Sequence, residues 1–103
     1  DARADDARQA LRAARLRVEA EVRAAVIDVE NARRALRLAE QAAAVSRERV
    51  ELTQERYQAG GVDFVQLQSV LRSAADAERA ELQARLDLAT GWATLREKVG
   101  MAP

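Results

Sequence analysis

The sequence predicts an all-α fold, a long antiparallel coiled-coil hairpin of two helices, and three observations carry that reading. The only proline among 103 residues is Pro103, so nothing internal forbids helix. Apolar residues return every seven positions along most of the chain. The run Ala59-Gly60-Gly61-Val62-Asp63 interrupts that pattern once. Aromatic residues make up only 3%, and β-branched residues are also sparse, which makes poor strand material.

The first helix is expected over residues 2–58. Val22, Val29, Leu36, Ala43, Val50 and Tyr57 recur at intervals of seven, and Ala25, Ala32, Ala39, Ser46 and Thr53 follow the first five by three. This is a sustained heptad seam. Charges spaced i,i+4 (Glu19 with Arg23, Glu30 with Arg34, Arg47 with Glu51) would add a few tenths of a kcal/mol each. A second stripe, Leu38, Val45 and Leu52 flanked by Ala35 and Ala42, runs roughly 100° around the helix from the first. One partner helix needs one seam. Two seams predict neighbours on two sides, as in a bundle or a wall of helices.

Residues 59–63 form the turn. Gly suits the left-handed residue that closes a helix C-terminus. Asp63 is a good N-cap, and Gln66 three residues on completes a capping-box pattern. A stop, a loop and a start within so few residues make the helices antiparallel neighbours.

The second helix is expected over 64–99, with Gly100 ending it. One of its stripes holds Phe64, Leu67, Leu71, Ala75, Leu82, Leu86, Ala89 and Ala93. The other holds Val70, Ala74, Ala77, Ala84, Leu88, Trp92, Leu95 and Val99. Gly91 lies inside this pattern at a cost of about 1 kcal/mol against Ala, which points to a close approach or a bend beside Trp92. Trp92 itself reads as packing rather than ligand binding. At ~1.5 Å per residue the helices are about 85 and 52 Å long, so the second ends near the level of Ala20 to Arg23. The segment before it, with Leu11, Leu16 and Val18, outruns its partner and implies packing against something outside the chain. The seams are rich in Ala, which brings axes close but buries little area per residue. A hairpin of this kind alone is marginal, and self-association is expected.

Composition excludes several functions. Lys+Arg and Asp+Glu both number 17, and that balance argues against a nucleic-acid partner, which wants clustered basic excess. No apolar run approaches the ~18 residues that span a bilayer as helix. There is no His and no Cys. Ser46, Ser69 and Ser73 have no evident base, and same-face carboxylates such as Glu51 and Glu55 are ordinary on a solvated helix. No catalytic residue, metal site or cofactor is therefore assigned, and the chain is not read as an enzyme. The chain opens on Asp1 rather than Met and is read as a segment of something longer.

The stretch "RYQAGGVDFVQLQSVLRSAADAERAELQARLDLATGWATLREKVG", preceded by "VRAAVIDVENARRAL", resembles the C-terminal hairpin of the TolC-like outer membrane efflux proteins. Tyr57, Ala59, Gly60, Asp63, Leu67 and Leu71 carry the aromatic-x-x-Gly turn and the Leu-rich return helix, and "LREKVG" the end. The resemblance covers nearly the whole chain. It implies a homotrimeric channel with a β-barrel in the outer membrane and an α-helical barrel in the periplasm, of which this chain would be one hairpin. It also implies a turn at the periplasmic tip. There the hairpin would line the entrance and meet a periplasmic adaptor, with an inner-membrane pump driving export. Some members place acidic residues early in the return helix to form an anionic constriction. The matching positions here, Gln66 and Ser69, are neutral, which makes a cation-binding ring doubtful.

The tip candidates are thus Tyr57, Ala59, Gly60, Gly61, Asp63, Gln66 and Ser69. Each also has a plain structural reading. Tyr57 and Phe64 could staple the hairpin end, Gly60 and Gly61 could serve turn geometry alone, and Asp63 is an N-cap first. Gln66 and Ser69 could be ordinary exposed polar residues. Two other functions fit a helical hairpin. The coiled coil of a periplasmic adaptor would carry an Arg/Leu/Ser-type contact motif at its turn, which is absent here. A generic helical-bundle interaction domain predicts one seam per helix and no special chemistry at the turn.

Overall fold

A computed structural model describes residues 1–102; the proline noted above, Pro103, lies outside them. Helix α1 (Ala2–Gln58) and helix α2 (Phe64–Met101) run antiparallel as a rod of 87 × 17 × 14 Å. Among the described residues there is no strand. The Asp1 carboxylate caps α1 by accepting from the Arg3 N–H at 3.2 Å.

The seam between the helices is a two-stranded coiled coil read from both sides. On α1 the covered residues step by fours and threes from Val18 through Val22, Ala25, Val29 and onward to Thr53. On α2 they step the same way from Leu67 through Val70, Ala74, Ala77, Glu81 and Ala84 to Lys98. Ala25, Val29, Ala43, Thr53, Leu67 and Ala84 are buried. At buried Thr53 the Oγ1 donates to the Arg49 carbonyl at 2.7 Å, which satisfies the hydroxyl within its own helix. Among the described residues no large side chain is fully buried. The core is one Ala-rich layer, and each covered residue contributes little area.

Gly91 packs close against Val29 across the seam. A Cβ added at residue 91 would stand 3.4 Å from Val29 Cγ2. Of the two roles the sequence offered for Gly91, the close approach is therefore the one in place. Trp92, next along, lies half-buried under the Arg33 guanidinium, 5.0 Å from its ring centroid.

Four expectations need correction. Leu67 belongs to the seam, while Phe64, Leu71, Leu82 and Leu86 of the same expected stripe face outward. Val99 is exposed, and Glu81, not counted in either stripe, occupies a seam position. Helix α2 does not stop at Gly100. Among the described residues only Gly60 has positive φ, so Gly100 remains right-handed, and the helix runs on to Met101 with Ala102 as its C-cap, whose N–H reaches the Val99 carbonyl at 3.1 Å. The longer α2 brings Met101 beside Leu11, Ala14 and Val18, which shortens the unaccompanied part of α1. The pairs Glu19/Arg23, Glu30/Arg34 and Arg47/Glu51 do not close. Arg34 instead donates to Asn31 Oδ1 at 3.0 Å. The ion pairs among the described residues are Asp76–Arg79, Glu81–Arg85 and Glu21–Lys98, and only the last joins the two helices.

Candidate functional site: the hairpin tip

The tip is built by two interlocking caps. At the end of α1, Gly60 takes a φ of 82°. Its N–H donates to the Tyr57 carbonyl at 3.1 Å, and the Gly61 N–H donates to the Arg56 carbonyl at 2.7 Å. This crossed pair is a Schellman motif, and it satisfies carbonyls that the helix end would leave bare. Ala59 is the C-cap, its N–H bonded to the Glu55 carbonyl at 3.1 Å. At the start of α2, Asp63 Oδ1 accepts from the Gln66 N–H at 2.8 Å. The Gln66 Oε1 accepts from the Asp63 N–H at 3.2 Å, completing the capping box. Only Val62 separates the two motifs, so the loop has almost no residue free of a cap.

Aromatic packing closes the tip from one side. The rings of Tyr57 and Phe64 lie 6.2 Å apart, tilted by 51°, within the range of favourable aromatic pairs. Both remain exposed, as does Val65 beside them. Next to the turn a groove runs between the helices, lined by Arg49, Leu52, Arg56, Gln66 and Ser69. Gln66 therefore has two faces: its amide oxygen completes the cap while its stem borders the groove.

The seven sequence candidates thus separate. Tyr57, Ala59, Gly60, Gly61 and Asp63 form the tip itself. Gln66 and Ser69 flank it along the groove. Sequence reasoning passed over Val65, Arg49 and Arg56. Val65 had a signal, being an apolar residue next to the turn that belongs to neither stripe. Arg49 and Arg56 had none, because charged residues on a helix are ordinary.

Chemically the tip can bind but has no reactive constellation. It offers an exposed aromatic and aliphatic patch and, along the groove, two guanidinium groups. Among the described residues no cluster of His, Cys, Asp or Glu could hold a metal, and no helix is long and apolar enough to cross a membrane. A family model described as outer membrane efflux protein matches residues 1–101. No curated protein and no solved structure matches the chain.

Proposed function

Since this chain belongs to the outer membrane efflux protein family, and so to the components of outer membrane efflux channels, we propose that it is one hairpin of the channel's periplasmic α-helical barrel. In the full-length trimer its turn forms part of the tip, where it gates the entrance and docks a periplasmic adaptor. An inner-membrane pump acts on the channel only through that assembly.

The observation that carries this reading is a rigidly capped turn bearing exposed Tyr57, Phe64 and Val65 at the end of an 87 Å rod. A turn needed only to reverse the chain gains nothing from exposing three apolar side chains, which water disfavours. A docking partner that covers them would account for the exposure. Gating fits the same residues. The Tyr57 hydroxyl sits where a neighbouring hairpin could accept or donate a hydrogen bond, and the ring contact with Phe64 ties its position to the loop. Gln66 and Ser69 are neutral, so the gate would respond to aromatic and hydrogen-bond contacts rather than to bound cations. The uncovered apolar stripes on both helices favour this reading over a free-standing two-helix module, which needs one seam per helix.

Cysteines placed at Gly61 and Val65 in the intact channel test the docking role. Cross-linking of both to the adaptor of the same export system is the expected result. If neither cross-links while a cysteine at Leu38 does cross-link to neighbouring channel helices, the tip is not the docking surface.

A further inference from the structure

The groove beside the turn carries two cations and no carboxylate among its walls. Arg49 and Arg56 border it from α1, Gln66 and Ser69 border it from α2, and Leu52 and Val70 supply apolar surface between them. The two arginines stand two turns apart on one helix face, ~10.5 Å along the axis. Neither has an Asp or Glu three or four positions away, where a helix would pair it. Among the described residues neither takes part in an ion pair. The groove that Arg47 lines differs in this respect, since Glu51 and Glu78 share its walls.

The hydrogen bonds of the turn bias the remaining polar groups toward donation. Gln66 Oε1 already accepts from the Asp63 N–H at 3.2 Å, so the end of that amide left to a ligand is its NH2. Thr53, also in the wall, gives its hydroxyl proton to the Arg49 carbonyl at 2.7 Å. The guanidinium groups are donors without acceptor capacity and stay charged at any ordinary pH. A neutral or cationic polar ligand would find few acceptors here, whereas an anion finds two charged donors and an amide.

We infer that this groove binds small amphipathic anions, molecules with an apolar body and a carboxylate or sulfonate group. The arginines take the anionic group in charge-assisted hydrogen bonds, and Leu52 and Val70 receive the apolar body. The groove holds about 300 Å³, room for one small molecule rather than for a helix of a partner protein. For its purpose the inference rests on the reading of the tip as the channel entrance, where such a site would make amphipathic anions a class of exported substrate. Its chemistry rests on the groove alone.

The test titrates the 103-residue chain with 1-naphthoate at low salt and follows the amide NMR spectrum. Shifts confined to residues 49–56 and 66–70 are expected. Uncharged 1-naphthamide should bind roughly fivefold more weakly, and the double variant Arg49→Gln, Arg56→Gln should weaken 1-naphthoate by a similar factor. Both arginines are exposed, so helicity by circular dichroism should not change, and 1-naphthamide binding should be the same in the variant. Equal affinity for the acid and the amide, or shifts scattered along both helices, would overturn the site. In the intact channel, 1-naphthoate added from the tip side should lower the conductance, and the double variant should relieve the block. Binding to the chain without block of the channel would overturn the entrance reading and leave the groove's chemistry standing. If the double variant abolishes cross-linking of Gly61→Cys to the adaptor, the groove holds an acidic segment of that partner and the small-anion assignment falls.

Discussion

Gly91 faces Val29 across the seam with little room to spare: a Cβ at residue 91 would lie 3.4 Å from Val29 Cγ2 and 3.8 Å from Val29 Cα. Val29 is buried there, so a larger side chain cannot turn aside into water. Two effects compete in Gly91→Ala. Helix propensity gains about 1 kcal/mol, while the new methyl must push a packed valine by a few tenths of an ångström. The expected net change is within about 0.5 kcal/mol. Gly91→Leu keeps the propensity gain but has no room, and a loss of about 2 kcal/mol is expected. Urea midpoints at one fixed chain concentration would check the order. A stable Gly91→Leu would show that the helices are not held this close.

The same substitution at Gly100 isolates the propensity effect. Gly100 is right-handed within α2, and nothing lies within 4 Å of where its Cβ would be. Gly100→Ala should therefore stabilise by about 0.5 kcal/mol, less than an interior site because the last turn frays. A loss of stability there would mean that the helix end depends on glycine in some way other than packing space.

At the tip the two adjacent glycines should respond differently. Gly60 is held at φ 82°, where a Cβ costs roughly 1–2 kcal/mol. Gly61 has no positive φ, and its added Cβ would meet the Arg56 carbonyl at an ordinary 3.5 Å. Gly60→Ala should lower stability by about 1 kcal/mol and Gly61→Ala by less than 0.5. Equal losses from the two, measured by the same urea titration, would contradict the Schellman assignment.

Asp63 offers a third handle on the turn. Its carboxylate holds the Gln66 N–H at 2.8 Å, and removing an N-cap costs about 1 kcal/mol. Asp63→Ala should lose that amount and Asp63→Asn very little, since Asn caps equally well. Both variants keep the exposed aromatics, so a docking defect in Asp63→Asn without a stability loss would reveal a direct role for the negative charge.

The turn and the two long helices were legible in the sequence for a common reason: each is a local rule. A glycine closing a helix, an aspartate opening one and a seven-residue repeat act within a few residues. What the sequence left open was which residues of the two α2 stripes face α1. Leu67 and Leu71 are both apolar and one turn apart, and only contact with α1 distinguishes buried Leu67 from exposed Leu71. Glu81 was hidden by its charge. Its side chain, 12% exposed, is accommodated in the seam with its carboxylate bonded to the more exposed Arg85 at 2.7 Å. The role of Gln66 in the cap was visible as a pattern, but the groove that it shares with Ser69 and two arginines exists only once both helices are in place.

Glu81 puts a carboxylate into a seam made mostly of small and apolar residues, which makes it a site for stabilisation. Its partner Arg85 is mostly solvated, so the pair is worth under about 1 kcal/mol. Leucine at 81 would bury apolar area worth roughly 1.5–3 kcal/mol. Glu81→Leu should gain about 1 kcal/mol after loss of the pair. A polar residue in such a seam can also fix register. If it does so here, Glu81→Leu would broaden the amide NMR spectrum into more than one set of peaks, and a single sharp set would show that register is held elsewhere.

The first stretch of α1 tests how much the hairpin alone can hold. Residues Ala2–Arg17 are exposed throughout, and the contact nearest them in the chain is Met101 beside Leu11 and Ala14. An isolated helix of that length is marginal in water, whereas Ala25–Thr53 are fastened by the seam. In dilute solution, amides of residues 6–14 should exchange roughly a hundredfold faster than those of 25–53, a difference of about 3 kcal/mol in opening. Uniform protection of α1 at high dilution would mean that the overhang is stable without a partner, and that its apolar residues need none.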